Sequence, residues 1–285
     1  MANLRANKIV GIGSTDAGVV FDGGVNINSQ GVMYFPTGDT SQRGRGRALV
    51  GGGSVPGNST AIDYFEMISS ADCVDFGDLT VTGQHTACSS ATRGVFAMGS
   101  NNNTIDYVTI TTTGNATDFG NMSSGNKNAC GLASPTRGCI AHGGDPFTNV
   151  IDYITIATTG NATDFGDTVQ AGEGYSGSSS STRGVWSGGY VQPANQNVIQ
   201  YITIASTGNA ADFGDLDRLT CQSGAGTSNN LRGCTMGGFT PSPSTTATNT
   251  IDYITISTTG NSNDFGDITS ARAYIGSCSD SHGGL

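Results

Sequence analysis

The tripeptide Asp-Phe-Gly occurs five times, beginning at Asp75, Asp118, Asp164, Asp212 and Asp264. In a kinase such an aspartate holds magnesium, but that chemistry also needs a glycine-rich nucleotide loop, a partner lysine and a His-Arg-Asp loop, and the chain has none of these. A fivefold set of aspartates could ring a calcium or magnesium ion, yet no Asp-x-Asp-x-Asp-Gly loop is present. His85, His142 and His282 are scattered, without a second histidine at ligand spacing. There is no Gly-x-Ser-x-Gly elbow and no Cys-x-x-Cys pair. These residue types point away from catalysis, and neither a metal nor a cofactor is expected.

A better candidate for recognition lies in segments of unequal length. An arginine (Arg47, Arg93, Arg137, Arg183, Arg232) is followed six residues later by a glycine (Gly53, Gly99, Gly143, Gly189, Gly238). From that glycine to the next repeat tyrosine the distance is 11, 8, 10, 12 and 15 residues in turn. Variable loops on a fixed scaffold are where binding usually resides. These loops, with the His142 that opens one of them, carry Asp145, Phe147, Tyr190, Gln192, Phe239 and Thr240. Aromatics beside Asn, Gln and Asp suit stacking on sugars or anchoring a protein neighbour; the plainer role is to cap the strands.

Behind these residues stands one phrase, Ile151-Asp152-Tyr153-Ile154-Thr155-Ile156-Ala157-Thr158-Thr159-Gly160-Asn161-Ala162-Thr163-Asp164-Phe165-Gly166, present in five versions. Tyr64, Tyr107, Tyr153, Tyr201 and Tyr253 each precede their Asp-Phe-Gly aspartate by 11 residues. Self-similarity at a period near 46 residues marks a repeat architecture, in which units bury a core by stacking on each other. Each repeat reads as four strands: one of small residues, one opened by the arginine, the Ile-Asp-Tyr strand, and the Asp-Phe-Gly strand reached through a Thr-Gly-Asn turn. The third strand is apolar on both faces, Ile151, Tyr153 and Ala157 one way and Ile154 and Ile156 the other. Each small sheet is therefore expected to lie between two others.

Blades around an axis satisfy that demand, and closing the ring protects the open ends. A lone first-type strand, residues 271–279, ends the chain and would complete the sheet opened by Arg47. The reading is an all-β, five-bladed β-propeller of four-stranded antiparallel blades over residues 44–285, its first blade closed by the C-terminal strand. Residues 1–43 form a small N-terminal β extension. A parallel β-solenoid is the alternative, though its coils are usually shorter than this period. In the propeller, each Phe fills the space between blades, each Gly permits a bend, and Asp118, Asp164, Asp212 and Asp264 accept backbone hydrogen bonds. Arg93, Arg137, Arg183 and Arg232 are expected to meet an acid or strand-end carbonyls, an aspartate of their own or a neighbouring blade foremost. Tyr107, Tyr153, Tyr201 and Tyr253 complete the structural set.

Small strand, Gly-Gly-ended strand and tyrosine strand together resemble Kelch repeats. Thr-Arg-Gly-Val-Phe, Ile-Asp-Tyr-Ile-Thr-Ile and Gly-Asn-Ala-Thr-Asp-Phe-Gly-Asp also resemble the Kelch-type repeats of structural proteins of tailed bacteriophages, especially those infecting cyanobacteria. The likeness covers residues 44–285, and the opening residues resemble the starts of such virion proteins. It implies a non-enzymatic virion component, a tail fibre, collar or surface appendage, docked through residues 1–43 in several symmetric copies among other virion proteins. The alternative it leaves open is a module that binds a host-surface glycan or receptor. Departures are Ala71 in place of a turn glycine, Gln200 in place of an Ile-Asp aspartate, and Asn121 in place of the last acid of Asp-Phe-Gly-Asp. The tryptophan usual in Kelch repeats is absent from these strands.

Composition agrees. The formal net charge is -10, and 44 glycines accompany only 12% charged residues, a turn-rich β profile. Lys8 and Lys127 are the only lysines, which argues against nucleic acid as partner. Seven cysteines are an odd number. Cys88 shares a repeat position with Cys278, and Cys139 with Cys234, so buried free thiols are expected in place of a disulfide framework. The start lacks the apolar core of a signal peptide and no run approaches a membrane span. The expectation is a product made soluble in a host cytoplasm and destined for the virion, without membrane insertion.

Overall fold

The structure is a computed structural model in which residues 47–53, 57–66, 72–99, 101–220, 225–240, 246–273, 275 and 277 are described. The proposed N-terminal segment, residues 1–43, lies outside them. All described residues belong to one compact unit, Asp39–Leu285.

They form a five-bladed β-propeller of small antiparallel sheets. Blade 1 contributes β1 (Arg47–Gly51), β2 (Ala61–Glu66) and β3 (Val74–Asp78). Blade 2 is β4 (Thr86–Ser89), β5 (Arg93–Ala97), β6 (Thr104–Thr109) and β7 (Thr117–Asn121). Blade 3 is β8 (Cys130–Ala133), β9 (Arg137–Ala141), β10 (Val150–Thr155) and β11 (Thr163–Asp167). Blade 4 is β12 (Ser176–Ser179), β13 (Arg183–Ser187), β15 (Ala194–Thr203) and β16 (Ala211–Thr220), with the short β14 (Tyr190–Val191) paired to β15. Blade 5 is β17 (Ala225–Ser228), β18 (Arg232–Met236), β19 (Thr250–Thr255) and β20 (Asn263–Asp267).

Of the expected closing strand, residues 271–279, the structure describes 271–273, 275 and 277, none of them in a strand. Its Ser277 Oγ donates to Gly226 O on β17 (2.8 Å), which continues the row of innermost strands past blade 5. That row is crowded: a Cβ on Gly226 would lie 2.2 Å from Gly177 O, and one on Gly131 would lie 2.8 Å from Ala87 O. Small residues on the first strand are what allow the blades to converge.

Both faces of the third strand are buried, as the pattern requires. Ile154 and Ile156 join Val95, Ile105 and Phe119 of blade 2, whereas Ile151 and Phe165 pack with Trp186, Ile202 and Ile204 of blade 4. Each Asp-Phe-Gly strand carries a bulge. Ile151 pairs with Gly166 and Asp152 with Asp164, leaving Phe165 as the extra residue. The bulge turns the phenylalanine inward, edge-on to its tyrosine; the Tyr153 and Phe165 ring centroids are 6.0 Å apart at 82°. Gly166 follows at φ 140°, a conformation open to glycine and strained for other residues.

Three contacts recur at successive seams. First, the Thr-Gly-Asn turn of one blade clasps the outer strand of the blade before it. Gly160 N donates to Phe119 O (2.8 Å), Ala162 N donates to Asn121 O (2.8 Å), and Asn161 Oδ1 accepts from Asn121 N (3.0 Å). Gly114, Gly208 and Gly260 repeat this on Phe76, Phe165 and Phe213. Second, the Ile-Asp-Tyr aspartate accepts from the segment leaving the previous blade: Asp106 from Thr80 N (2.8 Å) and Asp152 from Ser123 N (2.8 Å). Gln200 keeps the role as a neutral acceptor, its Oε1 taking Val169 N (2.7 Å), and Asp252 takes the Arg218 guanidinium (3.0 Å).

Third, the blade arginine reaches across the seam. Arg93, Arg137 and Arg183 donate from Nη1 to Ile156 O, Ile204 O and Ile256 O at 2.7–2.8 Å. Each guanidinium also lies over the tyrosine of its own blade, 4.2–4.4 Å from the ring centroid for Tyr107, Tyr153, Tyr201 and, under Arg232, Tyr253. The partner is thus a carbonyl, and the expected aspartate is corrected: stacking on the ring aims the donors along the strand, away from the exposed Asp118, Asp164, Asp212 and Asp264. Among the described blade arginines only Arg47 meets an acid, Glu66 (2.8 Å), which belongs to neither motif.

All described cysteines are free. Cys88 and Cys139 are buried, as expected, but Cys73 is exposed.

Candidate functional site

The loops between second and third strands share one end of the propeller with the segments that join blades, and the two sets interlock. Lys127 N and Gly144 N each bond the other's carbonyl (3.3 and 2.9 Å). Lys127 Nζ pairs with Asp145 Oδ2 (2.9 Å), which draws the Asp145 carboxyl below its ordinary value and raises the Lys127 ammonium. Asn128 Nδ2 donates to the buried Glu173 Oε2 (3.0 Å). Glu173 N in turn donates to Tyr190 O (3.0 Å). A Cβ on Gly144 would sit 2.0 Å from that glutamate oxygen, so a larger residue there would have to displace the Glu173 carboxylate.

This framework brings Phe147 and Tyr190, from adjacent blades, to ring centroids 5.8 Å apart at 55°. Both are half-buried, and Asp145 and Gln192 stand exposed beside them. Phe239 and Thr240 extend the rim onto blade 5, where Thr240 O accepts from Asn195 Nδ2 (3.1 Å). Phe147, Tyr190, Asp145 and Gln192 therefore form one surface, with Phe239 and Thr240 as its continuation.

His142 is not part of that surface. Its side chain is fully buried, with Nε2 2.9 Å from Asp152 Oδ2 and Nδ1 3.0 Å from Asn126 Oδ1. Ser124 Oγ lies 3.2 Å from the same Nδ1. In outline this is a serine, a histidine and an aspartate. The wiring differs from that of a nucleophile and its base. Asn126 Nδ2 donates to Pro146 O (3.0 Å) and Gly144 O (3.4 Å), so its Oδ1 is the acceptor facing His142. Ser124 Oγ donates to that same Oδ1 (3.1 Å), so the serine hydroxyl has an amide partner besides the ring. Burial pushes the Asp152 carboxyl up, but hydrogen bonds from His142 and Ser123 outweigh it and hold the group below its ordinary value. No group of three or more His, Cys, Asp or Glu among the described residues is placed to hold a metal ion.

No family model and no curated protein matches this chain.

The sequence reading, which weighed only the loops between second and third strands, missed Ser124, Asn126, Asn128 and Glu173. A signal was present: Ser123-Ser124-Gly125-Asn126-Lys127-Asn128 is polar and carries one of only two lysines in the chain. No described helix is long and apolar enough to cross a membrane.

Proposed function

We propose that this chain is a non-enzymatic structural protein of a tailed-phage virion, a tail fibre, collar or surface-appendage component. In this reading the propeller is a rigid interaction module held on the particle through residues 1–43 and present in several symmetric copies. The observation that carries it is the division of labour within the repeat. The seams reuse the same backbone-directed contacts, while the residues that differ between blades gather on one interlocked rim. The resemblance of the repeat phrases to Kelch-type virion proteins supplies the setting. The test is incorporation: a chain lacking residues 1–43 should fold but fail to join particles, and normal incorporation of the shortened chain overturns the docking assignment.

A second reading is favoured by the half-buried Phe147–Tyr190 pair with exposed Asp145 and Gln192 beside it, a composition suited to stacking on a sugar ring. In this reading the rim contacts a host-surface glycan or receptor. Binding on a glycan array that is lost in Tyr190→Ala supports it, and silence of the intact protein on the array counts against it.

A further inference from the structure

Two shallow clefts of the same make lie on the outer perimeter, beside the turns between third and fourth strands. In blade 3 the cleft measures about 280 Å³ and is lined by Tyr153, Thr155, Thr158, Thr159, Asn161 and Thr163. In blade 2 the counterparts Tyr107, Thr109, Thr112, Thr113, Asn115 and Thr117 line one of about 320 Å³. Among the described residues, no carboxylate, ammonium or guanidinium lines either cleft. The tyrosine and threonine hydroxyls take no hydrogen-bond partner among the described residues.

The turns share more residues than the clasp requires. The clasp uses Gly160 N, Ala162 N and Asn161 Oδ1. The side chains of Thr155 and Thr159 are exposed and enter none of the recurring contacts. Yet threonine stands at both places in blades 2 to 5, as Thr109, Thr155, Thr203 and Thr255 and as Thr113, Thr159, Thr207 and Thr259. Between them, the equally exposed position of Thr111, Ala157, Ala205 and Ser257 varies. Strand preference accounts for the first place, which ends the third strand, but not for the second, which lies beyond it in the turn. Exposed side chains repeated without an internal partner point to an external one. Blade 1 departs from the pattern: Glu66 replaces the first threonine and pairs with Arg47 (2.8 Å).

We infer that blades 2 to 5 each carry a subsite for one neutral sugar residue, so that the perimeter binds a repeating neutral glycan at equivalent places. Threonine hydroxyls both donate and accept, as the hydroxyls of a sugar ring require. The tyrosine offers an aromatic surface to the C–H groups of that ring. A phosphate, sulfate or uronate is the poorer ligand, because no cation lines the clefts and the chain carries a net charge of -10. A shallow subsite holds one sugar weakly, but several on one rigid body act together on a polymer. These subsites lie at the end of the propeller opposite the Phe147–Tyr190 surface, and the inference stands without the reading that places a glycan on that rim.

The test uses the full chain and the methyl glycosides of glucose, galactose and mannose as probes, read by saturation-transfer NMR. Saturable binding of at least one is expected. Thr155→Glu should remove about one subsite in four. The fold accommodates this change, since Thr155 pairs across the sheet with Arg137 as Glu66 does with Arg47, and the same ion pair can form. Combining it with Thr109→Glu, Thr203→Glu and Thr255→Glu should abolish the signal, while Tyr190→Ala on the rim leaves it unchanged. No saturable binding of any probe, or a signal that Thr155→Glu does not lower, overturns the inference. So does loss of the signal in Tyr190→Ala, which would move the sugar to the rim and favour that reading instead.

Discussion

The amide of Gly160 donates to the carbonyl of Phe119 at 2.8 Å, fastening the turn of one blade to the bulged strand of the blade before. Gly160 has open space around the position of a Cβ but φ of 154°, so Gly160→Ala meets backbone strain alone, about 1–3 kcal/mol. Gly120 has φ of 145°, and its Cβ would lie 2.4 Å from Gly160 O. Gly120→Ala is expected to cost clearly more. Denaturant melts of the two variants check this, and equal losses would show that steric contact adds nothing to the seam.

Arg183 stacks on Tyr201 and bonds Ile256 O, so it joins two blades through one side chain. Arg183→Ala should cost about 2 kcal/mol, combining a cation–π contact with a charge-assisted hydrogen bond. Arg183→Lys should recover only part of this, because an ammonium lacks the planar fork. An unchanged melting temperature in Arg183→Ala would remove the arginine from the account of the seams.

Trp186 is fully buried and donates from Nε1 to Cys130 O (3.1 Å). Trp186→Ala is expected to cost about 3–5 kcal/mol. As the only tryptophan it also reports directly, with blue-shifted emission in the folded chain and a red shift on unfolding.

The pH dependence has two arms. Asp152 has a folded-state pKa below its ordinary 3.8, so its contribution is present above that value and is lost as pH falls through the folded value. Asp152→Asn should be less stable than the parent at neutral pH and flatter at the acid end. Cys88, Cys130 and Cys139 behave oppositely. Burial pushes each thiol from 9.0 to about 12, so their contribution is intact below pH 9 and is lost as pH rises toward 12. Melting temperatures that hold steady across that alkaline interval would contradict the burial of these thiols.

The blades were legible in the sequence because their requirements are periodic. A two-faced apolar strand, a fixed tyrosine-to-aspartate spacing and a glycine at each bulge all repeat, and repetition exposes a constraint in a single chain. The arginine partner was legible only as a class. Sequence shows that a guanidinium needs acceptors, but stacking on tyrosine decides that Ile156 O, Ile204 O and Ile256 O serve. His142 was placed on the rim because it opens a variable loop. Its burial depends on Asn126 and Asp152, which lie 16 and 10 residues away and converge only when blades 2 and 3 meet. Cys73 was expected inside with the other thiols, and it is exposed.

The innermost strands carry a last consequence. Gly131 and Gly226 approach the backbone of the neighbouring innermost strand too closely for a methyl group, 2.8 Å from Ala87 O and 2.2 Å from Gly177 O. Bulkier hub residues would push the spokes apart, so the smallest side chains in the protein are the ones that let the spokes meet.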